Sequence, residues 1–185
     1  MYKRQTPIDA FYLLRAGGLT PICPPGLRME TMDLRTFPPV AFMAGLGRML
    51  TGRVQFDRQR YGEVLVMENG ERHRVFREVR VEPVRVAGPE STVKLTLRFQ
   101  FARFSQATNE CLSLIPIPVI IGMPGFRQKV WTHCEETRYS QGIYLFASAR
   151  QAEAYRHSPV IRILERRTVE GSFTWELDPV HGGEP

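Results

Sequence analysis

From Val93 to Phe101 the chain alternates. Val93, Leu95, Leu97, Phe99 and Phe101 are apolar, and Lys94, Thr96, Arg98 and Gln100 between them are polar. Side chains two apart in a strand share a face, so the segment predicts a strand with one fully apolar face and one polar face. The period changes after Ser105, where Ala107, Cys111, Leu114 and Ile115 fall at i, i+4, i+7 and i+8. That spacing predicts a helix capped by Ser105, with the four residues as its apolar stripe and Asn109 off the stripe toward solvent. Pro116 and Pro118 end it. Beyond the Pro124-Gly125 turn the pattern predicts strands over Phe126 to Glu135 and Gly142 to Phe146. A helix starting at Ser148, with Gln151 at capping-box spacing, runs through Tyr155, and a second one starts at Ser158 and Pro159. A last strand covers Ser172 to Leu177. The order β-α-β-β-α-β is that of a ferredoxin-like α+β unit, Thr92 to Asp178.

The first half is patterned more loosely. A short apolar piece, Phe11 to Leu14, precedes a Gly/Pro loop from Gly17 to Gly26. Pro38 and Pro39 open a helix carrying Phe42, Met43, Leu46, Met49 and Leu50, in which Gly45 and Gly47 imply close packing. Arg53 to Asp57, Glu63 to Met67 and Arg72 to Glu82 read as strands, and Asn69-Gly70 is the signal of a type I′ hairpin turn. Ala87-Gly88-Pro89 marks a boundary. The expected division is therefore residues 1–90 as an N-terminal extension, 91–178 as the ferredoxin-like α/β unit, and 179–185 as a tail. The two halves show no self-similarity, so the extension is expected to act as a lid or to enlarge the sheet.

With 43% hydrophobic residues the chain of 185 can build a real core. The 25 basic residues exceed the 19 acidic by six, and only Lys3, Lys94 and Lys129 are lysines. The arginines are scattered among acids, as in Arg77-Glu78-Val79-Arg80, which fits a solvated surface and not a nucleic-acid footprint. Cys23, Cys111 and Cys134 have no C-x-x-C spacing, so neither a disulfide framework nor a zinc knuckle is expected, and a reducing cytoplasm is the simplest setting. No secretory signal is apparent. The longest apolar run, Leu112 to Met123, is too short for an integral membrane segment and contains two prolines; it could at most lie at an interface. His73, His157 and His181 lack metal-ligand spacing, and no dinucleotide, Walker or H-E-x-x-H pattern occurs.

Pro124-Gly125-Phe126, Lys129-Val130-Trp131-Thr132, Gly142-Ile143-Tyr144-Leu145-Phe146 and Ala154-Tyr155 together resemble the YdhR-type putative mono-oxygenases, relatives of the antibiotic-biosynthesis mono-oxygenases in the dimeric α/β-barrel superfamily. The resemblance implies a four-stranded antiparallel sheet with helices on one face, and a homodimer whose open sheet faces enclose an apolar cavity. It also implies a mono-oxygenase or related tailoring enzyme acting on a hydrophobic aromatic or polyketide-like small molecule without a cofactor. Haem is an alternative in that superfamily, through a cavity histidine for which His133 is the candidate. A non-catalytic binder of an apolar ligand with the same fold is the competing reading.

The strand period then suggests which residues face the cavity. If the apolar row of the first strand packs on the helices, Thr96, Arg98 and Gln100 point the other way. The matching sets are Lys129, Trp131 and His133, then Gly142, Tyr144 and Phe146, then Thr174 and Glu176. A cofactor-free oxygenation needs a base and donors for an oxyanion. His133 is the candidate base, Arg98 or Tyr144 the anion-stabilising group, and Trp131, Gln100, Phe146 and Glu176 line the substrate. Each also has a structural reading. His133 could be a solvated strand-end residue, Trp131 barrel packing, and Arg98 a cross-strand partner of Glu176.

Overall fold

The computed structural model describes residues 34–82, 92–103 and 105–180. The expectations for Phe11 to Leu14, the loop Gly17 to Gly26, Cys23, the Ala87-Gly88-Pro89 boundary and His181 lie outside these residues. A single 3-10 turn, Leu34–Thr36, leads into helix α1, Pro38–Leu50. Strands β1 (Val54–Asp57), β2 (Val64–Val66) and β3 (Arg72–Val81) follow. Then come β4 (Val93–Phe99), α2 (Gln106–Leu112), α3 (Ile117–Gly122), β5 (Phe126–His133) and β6 (Ser140–Phe146). The chain closes with α4 (Ala149–Arg156), α5 (Pro159–Glu165) and β7 (Thr174–Pro179).

The strands form one antiparallel sheet in the order β1-β3-β5-β6-β4-β7, with β2 also paired to β3. Its β5-β6-β4-β7 portion is the ferredoxin-like order, in which the first and third strands lie side by side at the centre. The alternating strand predicted from Val93 is β4, held between β6 and β7. The long strand β3 pairs with β5 and so adds the first half of the chain to the sheet edge.

Leu95, Leu97, Phe99, Trp131, Tyr144 and Phe146 from the sheet pack with Ile117, Ile120, Ile121 and Tyr155 from the helices in a single core. The run Leu112 to Met123, expected at most to lie at an interface, is instead largely core: Ile117, Ile120, Ile121 and Met123 are buried. Pro116 breaks the helix as expected, and the chain restarts at once as α3. Helix α1 meets α3 through its small residues. A β-carbon on Gly45 would overlap the Pro118 carbonyl, and one on Gly122 would overlap the Ala41 carbonyl, so the two backbones touch where only glycine fits. Gly47, expected to share that role, faces open space. Of the apolar residues named on this helix, Phe42, Met43, Leu46 and Leu50 are exposed and Met49 packs against the core.

Three local signals resolve differently from their expectation. The β2–β3 hairpin forms, but its turn is not type I′, since among the described residues only Arg138 combines a side chain with positive φ. Met67 and Gly70 close a turn in which Gly70 alone is left-handed, φ 80°, and the Asn69 side chain accepts from the Glu71 amide. This fits a type I turn followed by a glycine bulge. Ser105 caps α2 by accepting from Thr108 N at 3.3 Å, as predicted. Ser148 and Ser158 precede their helices as predicted, but neither side chain makes a cap hydrogen bond.

Candidate functional site

In an antiparallel pair, residues directly opposite share a face. Tyr144 lies opposite Leu95 on one side and Lys129 on the other, while Gly142 lies opposite Leu97 and Trp131. Leu95 and Leu97 are core residues under the helices. Lys129, Trp131, Tyr144, Phe146 and His133 therefore stand on the helix-covered face, not on the face away from it as the strand period suggested. Thr96 lies opposite Ile143 and Glu176, and Ile143 opposite Val130, so Thr96, Arg98, Val130, Ile143 and Glu176 occupy the second face. The predicted cluster is thus divided by the sheet. His133, Tyr144, Trp131 and Phe146 lie on one side, and Arg98, Gln100 and Glu176 on the other.

On the second face Arg98 does not pair with Glu176, whose register partner is Thr96. It holds Glu71 instead, with Nη2 donating to Oε1 at 2.7 Å and Nε to Oε2 at 3.3 Å, and its guanidinium lies 3.4 Å from the Tyr139 ring centroid. Glu71 continues to His73, at 3.2 Å, and His73 to Thr132 Oγ1, also at 3.2 Å. The Arg98 hydrogen bond is the chief reason the Glu71 carboxyl is held down to about 2. His73 is fully buried, and burial lowers its pKa. The Gln100 side chain donates to the Thr137 carbonyl at 3.4 Å. The chain Arg98–Glu71–His73–Thr132 is joined by hydrogen bonds throughout, which is the pattern of a structural polar cluster.

The helix-covered face has a different character. Along it β3 and β5 place Arg74 opposite His133, Arg77 opposite Trp131, and Val79 opposite Lys129. Arg77 Nη1 reaches up to α2, donating to the Glu110 carbonyl at 3.0 Å and to Ser113 Oγ. Ser113, Asn109 and Gln106 share one helical face by their spacing of four and three, so the side of α2 over the sheet is polar. The predicted stripe is inverted, since Cys111, Leu114 and Ile115 are exposed while Asn109 is buried. Asn109 Oδ1 and Gln106 Oε1 are both buried without a hydrogen-bond partner. A buried carbonyl oxygen left unpaired costs about 1–3 kcal/mol, so two on one face mark a place that a donor would complete.

A cavity of about 530 Å³ adjoins Arg77, bounded by Phe56 and Asp57 of β1, Tyr61, Phe76 and Glu78 of β3, and Leu114 just past α2. It opens where the outer edge of β3 changes partner, β1 pairing from Glu78 onward and β2 up to Arg74. A register shift between Val75 and Arg77 falls in that gap, and such irregularities re-aim side chains. Glu78 is buried, its Oε1 accepting from Arg80 Nε and Gln128 Nε2 at 2.6 Å each.

His133 Nδ1 lies 3.3 Å from Ser140 Oγ. Its pKa is lowered, first by burial and then by His73. Burial raises the Tyr144 phenol, so this hydroxyl stays protonated, and Tyr155 donates to it at 3.4 Å. No group of three or more potential metal-ligating side chains occurs among the described residues. No histidine is among the residues that line this cavity, and His133 lies buried in the sheet. Asn109, an amide able to hold an oxyanion or peroxy group, was expected to face solvent and is buried instead, and Gln106, Ser113 and Arg77 beside it were not singled out by the sequence. Their signal was present in the spacing of Gln106, Asn109 and Ser113, a polar row as regular as the apolar one.

Residues 95–171 match the family model "Putative mono-oxygenase ydhR". The matched stretch holds β5, β6 and the helices around them and covers less than half of the chain. No curated protein matches the sequence. Among solved structures the chain is similar to an anthrone oxidase-like protein, at 18% identity and a TM-score of 0.42, over 60% of this chain and 55% of that one. It is also similar to LmHde, a heme-degrading enzyme from Listeria monocytogenes, at 12% identity and a TM-score of 0.43, over 68% of this chain and 96% of that one. The chain thus spans about half the length of the anthrone oxidase-like protein. No helix among the described residues is long and apolar enough to cross a membrane.

Proposed function

We propose that the protein is a cofactor-independent mono-oxygenase whose substrate, a hydrophobic phenol or enol with fused rings, binds between α2 and the sheet beside Arg77. The observation that carries the reading is the inward polar face of α2, where Asn109 and Gln106 leave two buried carbonyl oxygens without donors. A substrate hydroxyl that keeps its proton through the reaction would supply one. The match of residues 95–171 to a mono-oxygenase family supports the reaction class.

In this reading His133, neutral at pH 7 because burial lowers its pKa, accepts the substrate proton. Arg77, opposite Trp131, stabilises the resulting oxyanion, the task first assigned to Arg98 or Tyr144. Trp131 lies beneath the ring. The electron-rich anion reacts with dioxygen, and a ring methylene becomes a carbonyl while the second oxygen atom leaves as water. A homodimer formed through the second face, where Ile143 and Leu145 are half-buried, belongs to the same proposal; sedimentation equilibrium giving a monomer mass would remove it.

The test of the function is oxygen uptake by the purified full chain with a panel of tricyclic phenols and enols, together with product mass. Uptake with a product heavier by one oxygen and lighter by two hydrogens is the expected result. Tight binding with the ligand returned unchanged would favour the non-catalytic apolar-ligand binder.

A further inference from the structure

Lys129 is used neither by the fold's ion pairs nor by the reaction proposed above. It lies in the sheet among core residues, 6% exposed, with Nζ 4.0 Å from the Trp131 ring centroid and 4.5 Å from that of Tyr144. No carboxylate is within ion-pair distance of it, and Nζ has no hydrogen-bond partner, among the described residues. The charged and titratable groups around it are Arg77 on β3, Tyr144 on β6 and, behind Tyr144, Tyr155 on α4. Lys94 differs in kind, for it is half-exposed and paired with Asp178 at 3.1 Å.

We infer that Lys129 is a carbonyl-reactive amine, at which an aldehyde or ketone carrying an aromatic ring is held as an imine. The two rings favour an ammonium through their π faces. Against them stand burial, the absence of a counter-ion and the repulsion from Arg77. Burying an unpaired charge opposes the contacts with the two rings and lowers the amine's pKa well below its ordinary value, which favours the neutral, nucleophilic form. The same rings form the walls that an aromatic carbonyl compound would meet. Lys129 lies near the cavity by register, since Val79, opposite it, is two residues along β3 from Arg77, which bounds that cavity. Nζ attacks the carbonyl carbon, the carbinolamine loses its oxygen as water together with both amine hydrogens, and C=N forms. No oxidant or reductant is consumed, and hydrolysis reverses the step.

Three lysines make the test clean. The full chain is incubated at pH 7 with 4-hydroxybenzaldehyde and sodium cyanoborohydride, which traps the imine as a stable secondary amine, and sites are mapped by peptide mass. Each unit by which an amine's pKa falls raises its unprotonated fraction about tenfold at this pH, so Lys129 should be modified at least about ten times faster than Lys94. An amine that is merely hidden gives the reverse order, with Lys94 labelled and Lys129 silent until urea unfolds the chain. That order, or equal rates at the two sites, overturns the inference. The wild-type chain suffices, so no variant need fold, and the outcome is independent of whether oxygen is consumed.

Discussion

Tyr144 and Leu95 stand directly opposite each other across β4 and β6, and Leu95 is wholly buried beneath the helices. This one pairing places Tyr144, with Trp131 and Lys129 in register beyond it, in the core. Tyr144→Ala should therefore destabilise the protein by about 3–5 kcal/mol, the cost of removing a buried aromatic ring, and Ile143→Ala on the other face by clearly less. Urea denaturation of the two variants reads the difference. Equal losses would undo the assignment of faces.

The contact of α1 with α3 depends on two glycines. A methyl group at Gly45 or Gly122 meets carbonyl oxygen of the facing helix and cannot be relieved by a rotamer change. Gly45→Ala and Gly122→Ala should each cost about 3 kcal/mol, at the upper end of overpacking. Gly47 has nothing within 4 Å of its added methyl, so Gly47→Ala should gain up to about 1 kcal/mol from helix propensity. Thermal melts of the three variants should show two falling and one rising.

The Arg98–Glu71 pair sets an acid limit. Glu71 falls from 4.5 to about 2, first through its bond to Arg98. A carboxylate with a depressed folded pKa stabilises the fold above its unfolded value and loses that contribution as pH falls through the folded value. The window therefore runs from pH 4.5 down to about 2. With partial screening at this half-open site the contribution is on the order of 2 kcal/mol. Arg98→Met should flatten the stability profile in that window in pH-dependent denaturation, and an unchanged slope would show the pair to be idle.

The sequence made the fold legible because β4 alternates cleanly and each helix start carries a serine or proline. The site was harder to read. Gly142 to Phe146 is an unbroken apolar run, buried or half-buried on both faces, so its period says nothing about direction. In β5 the polar character of Lys129 suggested solvent, whereas two aromatic rings hold it in the core. In α2 the apolar residues were assigned inward by rule, but Arg77 draws the polar side of the helix to the sheet. Arg98's partner, Glu71, comes from the hairpin turn 27 residues earlier, which the pattern of either strand alone does not reveal.

The proposed site lies between α2 and the sheet beside Arg77, and its most direct test compares two variants in one assay. Oxygen uptake with a tricyclic phenol that the wild type turns over is measured for Asn109→Ala and for Arg98→Met, with folding of each checked by circular dichroism. Loss of the buried acceptor that holds a substrate hydroxyl should lower kcat/KM by about 10²-fold in Asn109→Ala. Arg98→Met, on the other face, should stay within about twofold of wild type. The reverse result, a silent Asn109 and an essential Arg98, would contradict the placement of the site and return it to the face away from the helices.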